Sequence, residues 1–387
     1  MFDYCEYARN LRHQLHQVPE IGFDLPETMA IVKRELDETG IPYTVDQFGP
    51  SSIVATINPG CSFTIGLRAD MDALPMQEAS SNPFPSRHEG KMHACGHDVH
   101  TATLLAAGKQ LWDLKDGLRC TVKLLFTPAE EYITPGCKEL ADNGIMDDID
   151  CAVALHVHPG ENAGKVILKE NGYNANSMGI VCEFFGKSAH AHSQHKGVDA
   201  IRMAMQAYMS MELMAAREIP SKDAFVLNVG SLNGGNTNNI VCDYAKMFLS
   251  ARSWDDQLID FMERRIRQIC ESTAEMCGGT AKVTVTKLLP MVVNHPVMSQ
   301  RIRSVAEKVA GKENIVCDGP SMGGEDFSFL TRKKPCVMFR LGVSNDTNPD
   351  TRCPVHNNKF DVDEGCFDVA VPMFVNFVLD YQDGIEF

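Results

Sequence analysis

Paired cysteines, long apolar runs and an excess of basic residues are all missing from this sequence. The 14 cysteines occur singly, with no Cys-X-X-Cys pair, which is typical of a reducing compartment where thiols act as small buried hydrophobic groups. No apolar run approaches the roughly eighteen residues of a membrane-spanning helix. The N-terminal residues lack the basic flank and apolar core of a signal peptide. We therefore expect a cytoplasmic protein without a membrane partner.

The charge balance excludes a second class of partner. The formal net charge is −15, and binding to nucleic acid requires a basic face that neutralises phosphates. With 387 residues, of which 44% are hydrophobic, the chain exceeds the size at which a single core stops growing. We expect a globular protein of two domains.

The order of predicted elements indicates the fold class. Strands alternate with helices up to about residue 155, which favours an α/β domain with a mostly parallel central sheet. The predicted elements include a helix over Val99–Leu114, which Asp98 could cap, and a strand over Asp150–Leu155. Between residues 175 and 288 the predicted order becomes βαββαβ, the ferredoxin-like arrangement. We predict that residues 1–174 and 289–387 form the α/β domain and that residues 175–288 form a second domain inserted into it.

The stretch Lys91–Thr101 concentrates side chains that bind metals. Cys95 and His97 stand two positions apart, so in an extended segment both project to the same side. Thiolate, imidazole and carboxylate groups are ligands that divalent transition metals select. The alternative is a polar loop whose histidines face solvent and whose cysteine is merely buried.

Three further segments carry similar groups, and together they predict a metal site assembled by the fold. Glu130 and Glu131 follow a predicted strand, His156 emerges from another, and His356 lies some two hundred residues downstream. Ligands bind beyond the carboxyl ends of strands in such sheets. Taken singly, the glutamates could be an acidic surface turn and His156 a core histidine. Five ligands with one shared donor would hold two metal ions about 3.5–4 Å apart, which lower the pKa of a bridging water from about 15.7 towards about 7.

Several blocks resemble the signature motifs of the M20 metallopeptidase superfamily. They are the segments 68–75 (RADMDALP), 92–98 (MHACGHD), 128–131 (PAEE) and 322–327 (MGGEDF). Within the superfamily they are similar to the amidohydrolase branch of hippurate hydrolases, N-acyl-amino-acid deacylases and indole-acetyl-amino-acid hydrolases. The resemblance implies a catalytic α/β domain and an inserted lid or dimerisation domain, and hence a homodimer or larger homo-oligomer.

The resemblance also implies roles for individual residues. Cys95 would bridge two divalent ions (Zn, Mn, Co or Ni), and Glu130 would be the general base and acid. Asp72 would orient a ligand histidine from outside the ligand shell. The remaining ligands would be His97 and His156 at one ion, and Glu131 and His356 at the other.

In the inserted domain, the resemblance implies that His190 of a neighbouring subunit stabilises the tetrahedral oxyanion. Asn239 and Arg252 would bind the carbonyl and carboxylate of the substrate, for which the planar fork of arginine is suited. Without the resemblance, His190 reads as a surface histidine and Arg252 as part of a surface salt bridge. Gln194 and Cys242 replace two prolines that are usual in the family. Both replacements lie in the inserted domain and bear on the shape of the bound substrate rather than on the metal chemistry.

The resulting hypothesis is a dinuclear amidohydrolase that cleaves a small-molecule N-acyl amino acid, with a dipeptidase of the same superfamily as the alternative. Gly319–Gly323 also matches the G-X-S-X-G elbow of serine hydrolases, but the preceding predicted strand is short and His356 is the only later histidine. A non-catalytic metal-binding protein would have no use for a second glutamate beside a ligand glutamate.

Overall fold

The computed structural model describes residues 2–169, 174–319 and 321–387. The chain divides into two compact units. The larger unit comprises Met1–Tyr173, Val292–Pro320 and Asp326–Phe387, and the smaller unit comprises Asn174–Met291 and Ser321–Glu325. The short segment Ser321–Glu325 is thus grouped with the smaller unit.

The elements follow the chain in three stretches. The larger unit begins with α1 (Tyr4–His16), α2 (Pro26–Thr39), β1 (Tyr43–Val45), β2 (Ile53–Ile57), β3 (Thr64–Asp70), α3 (His97–Asp113), β4 (Thr121–Thr127), α4 (Gly136–Asp142), β5 (Cys151–Asn162) and β6 (Val166–Leu168). The smaller unit contains β7 (Asn176–Phe185), α5 (Ala200–Glu218), β8 (Phe225–Gly234), β9 (Tyr244–Ser253), α6 (Asp256–Met276) and β10 (Thr280–Leu289). The larger unit resumes with α7 (Pro296–Val309), β11 (Ile315–Cys317), α8 (Ser328–Thr331), β12 (Cys336–Ser344) and α9 (Phe367–Tyr381).

The larger unit is built on a sheet with the order β1-β2-β4-β3-β5-β12-β6-β11. Its centre, from β4 to β12, is parallel. Successive residues of a strand face opposite sides of a sheet, and both sides are covered here. Leu124 and Phe126 enter one buried cluster while Leu125 enters another. The predicted α/β class with a mostly parallel central sheet is confirmed.

The smaller unit has an antiparallel sheet with the order β10-β7-β9-β8. Ile180 of β7 and Met247 of β9 point into a cluster that also contains Met203 of α5 and Met262 of α6. Both helices therefore cover the same face of the sheet. This element order and strand order confirm the ferredoxin-like arrangement.

Two boundaries near the ligand candidates differ from prediction. α3 begins at His97 rather than Val99, with Gly96 as its N-cap, and Asp98 pairs with Arg12 and His16 instead of capping the helix. β5 extends beyond Leu155 to Asn162 because its parallel partner β12 continues the ladder to that residue. His156 therefore lies within a strand and not just past its end.

Among the helices of the described residues, none is both long and apolar enough to cross a membrane.

Candidate metal centre

Five side chains of the larger unit converge although they are far apart in sequence. Cys95 and His97 flank the N-terminus of α3, and His156 projects from β5. Glu131 follows β4, and His356 lies in the segment between β12 and α9. All five predicted ligands are thus brought together at one end of the parallel sheet.

The five residues form two donor groups that share one sulfur atom. The donor atoms of Cys95, His97 and His156 lie within 4.8 Å of one another, and so do those of Cys95, Glu131 and His356. The Cys95 Sγ atom is 3.4 Å from His156 Nε2, and His356 Nε2 is 2.9 Å from Glu131 Oε1. A thiolate common to both groups is suited to bridging two cations.

His97 and His156 are each oriented through the other ring nitrogen. His97 Nδ1 lies 2.8 Å from the backbone carbonyl of Asp72, and His156 Nδ1 lies 2.7 Å from the carbonyl of Val157. Because Nδ1 donates to these carbonyls, Nε2 is the nitrogen of each ring that is left to bind a metal.

Asp72 holds the glutamate pair as well as His97. Its two carboxylate oxygens accept the backbone N–H groups of Glu130 and Glu131, each at 3.0 Å. The carboxylate is also 3.5 Å from His97 Nδ1, although the shorter contact of that nitrogen is with the Asp72 carbonyl. Asp72 therefore fixes the position of both glutamates relative to His97, one of the candidate ligands.

The backbone departs from ordinary geometry beside two of these groups. Ala129, directly before Glu130, has φ 57°, and His356 has φ 65°. Left-handed conformations cost about 1–3 kcal/mol for residues other than glycine and concentrate at functional sites. The His356 N–H donates to the Ala94 carbonyl at 2.8 Å, which anchors the strained residue next to Cys95.

The charge of this cluster favours a bound cation. Burial raises the pKa of the Cys95 thiol well above its usual value, and Glu131 and Glu130 raise it further, so the thiolate requires a positive charge at the sulfur. Burial alone would lower the pKa of His97, but Asp70 and Asp72 raise it to about 10. A metal ion at His97 would take the place of that proton.

The donor set therefore fits divalent metal ions. His97 Nε2 is buried and has no hydrogen-bond partner within residues 2–169, 174–319 and 321–387. Sulfur, imidazole and carboxylate donors together are suited to transition metals rather than to calcium or magnesium. Glu130 Oε2 is 3.9 Å from His97 Nε2, beside the donors but outside both groups of three that share Cys95.

The remaining predicted residues lie in the smaller unit. His190 is exposed, and its Nδ1 accepts the His192 backbone N–H at 3.3 Å, which leaves Nε2 as the proton-bearing nitrogen. Asn239 is exposed, and its Oδ1 accepts a hydrogen bond from Thr237. Arg252 is half-buried and donates to the Met322 carbonyl at 2.7 Å.

Sequence reasoning missed a buried network beside the ligands. Arg68 pairs with Asp70 at 2.7 Å and with Asp326 at 2.6 Å, and Asp70 contacts His100 at 2.5 Å. These four side chains are buried. Arg68 and Asp326 belong to the quoted motif blocks, and His100 stands three positions after His97 on the same helix, a spacing that could have indicated a shared face.

The serine-hydrolase elbow finds no support. Pro320 lies outside the described residues, and the chain from Ser321 to Phe327 is not helical, whereas an elbow places its serine between a strand and a helix. The Ser321 hydroxyl accepts the Gly323 N–H within its own turn.

The chain resembles known hydrolases over most of its length. The pattern of peptidase family M20/M25/M40 matches residues 66–380. The hippurate hydrolase of Campylobacter jejuni is 32% identical over 90% of this chain and 91% of its own. The N-acetyl-L-cysteine deacetylase of Bacillus subtilis is 32% identical over 92% of this chain and 83% of its own.

A solved structure gives the same assignment. A Bacillus subtilis protein, described as a dinuclear metal binding peptidase from the M20 family, has a TM-score of 0.86 and 25% identity, covering 99% of both chains. The chain therefore belongs to the peptidase family M20/M25/M40 and is a metal-binding amidohydrolase.

Proposed function

We propose that the protein hydrolyses the amide bond of N-acyl amino acids and releases a carboxylate and a free amino acid. The observation that carries the proposal is the sharing of Cys95 by two donor groups, with Glu130 beside them. Two relatives are named for hippurate and N-acetyl-L-cysteine, and both compounds are N-acyl amino acids. Their shared chemistry supports this substrate class.

Two divalent ions, of zinc, manganese, cobalt or nickel, would be held by the five donors. His97 and His156 would hold one ion, Glu131 and His356 the other, and Cys95 both. When bound, such a pair lowers the pKa of a water molecule and polarises the acyl carbonyl. Asp72 keeps Glu130 and Glu131 in register with His97 through its three contacts.

Glu130 would move the proton. A carboxylate outside the two groups that share Cys95 would take a proton from the attacking water and deliver it to the amine nitrogen as the C–N bond breaks. The Asp72 hydrogen bond fixes the Glu130 backbone, and the Oε2 atom points toward the ligand histidine His97. This arrangement suits a proton carrier beside the reacting centre.

Three residues of the smaller unit complete the proposal. His190 from a second copy of the chain would donate its exposed Nε2–H to the oxyanion, a type of contact worth about 10²–10³ in kcat. Asn239 and Arg252 would recognise the carbonyl and carboxylate of the substrate. The nitrogens of Arg252 other than Nη1 have no hydrogen bond within the described chain, so they can donate to a carboxylate.

The proposal is tested by a matched pair of variants. Glu130→Gln should keep two metal ions per chain and lower kcat by about 10²–10⁴, the range for loss of a general acid–base. Glu131→Gln should lose one of the two ions. Elemental analysis measures the metal content of each variant, and steady-state kinetics measures its kcat. Normal turnover in Glu130→Gln, or an unchanged metal content in Glu131→Gln, would contradict the assignment.

A substrate panel separates this activity from a dipeptidase. Acetyl- and benzoyl-amino acids should be cleaved, and dipeptides with a free amine should be poor substrates. Activity should be lost with a chelator and should withstand a serine-directed fluorophosphonate. Preferential cleavage of free dipeptides would assign the alternative function.

We also propose a cytoplasmic location and a homodimer or larger homo-oligomer formed through the smaller unit. All 14 cysteines are free, which suits a reducing compartment. The helix α5 exposes an apolar row, which supports self-association.

A further inference from the structure

His100 is buried next to the ligand cluster but belongs to neither donor group that contains Cys95. Its Nδ1 atom lies 2.5 Å from Asp70 Oδ1, and its Nε2 atom accepts the backbone N–H of Val157 at 3.0 Å. A ring nitrogen that accepts an N–H carries no proton, so the proton of the neutral ring is on Nδ1 and is donated to Asp70. Both nitrogens of His100 are therefore committed.

The Val157 N–H needs this partner because β3 no longer pairs with β5 at this residue. The ladder between β3 and β5 runs only as far as the pair Arg68–Ala154, while β5 continues along β12 on its other side. A buried backbone N–H without a partner is costly. His100 supplies the acceptor that a longer β3 would otherwise provide.

The same peptide unit also orients a proposed metal ligand. The Val157 carbonyl accepts His156 Nδ1 at 2.7 Å, and this directs His156 Nε2 to within 3.4 Å of the Cys95 sulfur. Val157 is thus held at its N–H by His100 and at its carbonyl by His156.

Asp70, the partner of His100 Nδ1, is itself held by several hydrogen bonds. Asp70 is held at Oδ2 by Arg68 at 2.7 Å, and its backbone carbonyl accepts the Thr101 hydroxyl at 2.8 Å. Arg68 is fixed in turn by Thr127 and Asp326. These residues are buried, so His100 connects a buried, hydrogen-bonded ionic group to the strand that carries His156.

We propose that His100 is a positioning residue, which sets the direction of His156 toward the metal site by holding the Val157 N–H from an anchor at Asp70. The inference rests on the proposed metal centre for its consequence. It concerns a contact between groups of the protein itself, so it can be tested in the metal-free protein as well.

Two substitutions separate the two hydrogen bonds of the His100 ring, one with Asp70 and one with Val157. Asparagine places its amide near the position of Nδ1, so His100→Asn can still donate to Asp70 but cannot reach Val157. Glutamine places its amide near the position of Nε2, so His100→Gln can accept the Val157 N–H but loses Asp70. Leu104→Ala is the matched control, because Leu104 is buried one turn further along α3 and contributes only packing.

Co²⁺ is the probe, because a thiolate ligand gives it a charge-transfer absorption that reports the geometry at Cys95. His100→Asn should bind Co²⁺ about 10–100-fold more weakly, the range for partners of ligand histidines, with a shifted absorption. His100→Gln should remain close to wild type in both. Leu104→Ala should lower the melting temperature without moving the spectrum. Wild-type affinity in His100→Asn, or equal losses in both His100 variants, would overturn the inference.

Hydrogen exchange of the metal-free proteins separates this inference from the proposed function. The peptide covering β5 should exchange faster at Val157 in His100→Asn than in wild type or His100→Gln. If wild-type protein fails to bind Co²⁺, the proposed function fails, while the exchange result still decides the role of His100. Unchanged exchange in His100→Asn would overturn that role.

Discussion

At the scale of single residues, the cluster depends on Cys95, a buried donor that must lose its proton to bridge two cations. Burial and the neighbouring carboxylates disfavour the Cys95 thiolate, and the same carboxylates favour a cation beside it. The charge of the side chain at position 95 is therefore as important as its size. Neutral and anionic replacements of this residue should behave differently.

Cys95→Ser should lose most of its metal affinity, because a serine hydroxyl remains protonated and cannot bridge two cations as an anion. Cys95→Asp should retain metal, because a carboxylate can bridge in the same way. Isothermal titration with Zn²⁺ and elemental analysis compare the two variants. Equal retention of metal by both would show that residue 95 does not bridge.

Asp72→Asn tests the neighbouring carboxylate. The amide can accept only one of the two backbone N–H groups of Glu130 and Glu131, and its NH₂ group would face the other. Metal affinity should fall about 10–100-fold, and kcat should fall as well because Glu130 is displaced. Metal titration and kinetics give the two values separately. An unchanged kcat at saturating metal would contradict a role in placing Glu130.

At the scale of elements, the turn into α3 determines where two of the proposed ligands, Cys95 and His97, point. Gly96 has φ 83°, and a Cβ atom there would lie 2.5 Å from Val157 Cγ2. Gly96, which stands between Cys95 and His97, thus allows the first turn of α3 to lie directly against β5. A side chain at this position would separate the helix from the strand.

Gly96→Ala should destabilise the protein and weaken metal binding. The left-handed conformation costs about 1–2 kcal/mol, and the contact with Val157 adds about 1–3 kcal/mol of overpacking. Gly90→Ala is the control, because Gly90 also has positive φ, at 71°, but its Cβ would meet nothing within 4 Å. Urea unfolding should show the larger loss in Gly96→Ala. Equal losses would show that the close approach is unimportant.

The helix α5 carries a row of exposed apolar side chains that is relevant to self-association. Met205, Met209 and Leu213 are 57%, 59% and 62% exposed, and their spacing of four places them on one face of the helix. Exposed apolar rows of this kind mark interfaces. We infer that this face is covered by a second copy of the chain.

Met209→Glu should shift the protein toward monomer, because it places a charge in the middle of this row. Met276→Glu is the matched control: Met276 is 71% exposed at the end of α6 and is not part of the row. Sedimentation velocity measures both variants. If Met209→Glu and Met276→Glu sediment alike, association does not use this face.

The elements near the candidate site also show which features the sequence predicts and which depend on distant contacts. Alternating strands and helices predicted both sheets. The convergence of Cys95 and His97 was predicted from an extended segment, whereas the structure achieves it through a left-handed turn at Gly96 and a helix that begins at His97. The extension of β5 could not be predicted, because it depends on the pairing with β12, which is distant in sequence. Asp98 was predicted as a possible helix cap, because sequence does not show that Arg12 and His16 lie beside it.

At the scale of the whole molecule, the buried ionic group of Arg12, His16 and Asp98 links the N-terminal helix to α3. Burial alone would lower the pKa of His16, but hydrogen bonds to Asp98 and Glu78 raise it to about 9. Burial alone would raise the pKa of Asp98, but His16 and Arg12 hold it well below its usual value. These opposite displacements define a pH range of maximal stability for the larger unit.

The sign of the pH dependence follows from these directions. Asp98 contributes stability above the usual pKa of a carboxyl group, and this is lost as the pH falls through its lowered pKa. His16 contributes stability that is fully present below pH about 6.5 and is lost as the pH rises through about 9. The contribution of His16 is on the order of 3 kcal/mol.

His16→Gln should therefore flatten the alkaline side of the stability curve. Wild-type protein should lose free energy of unfolding between pH about 6.5 and about 9, and the variant should lose little there because it has no proton to release. His88→Gln is the control, because the partner of His88, Glu27, is largely exposed and such pairs contribute little. Urea unfolding of metal-free protein in a Trp254→Phe background leaves Trp112, in α3, as the reporter of the larger unit. A variant that loses as much stability as wild type over this range would show that His16 does not hold its proton in the folded chain.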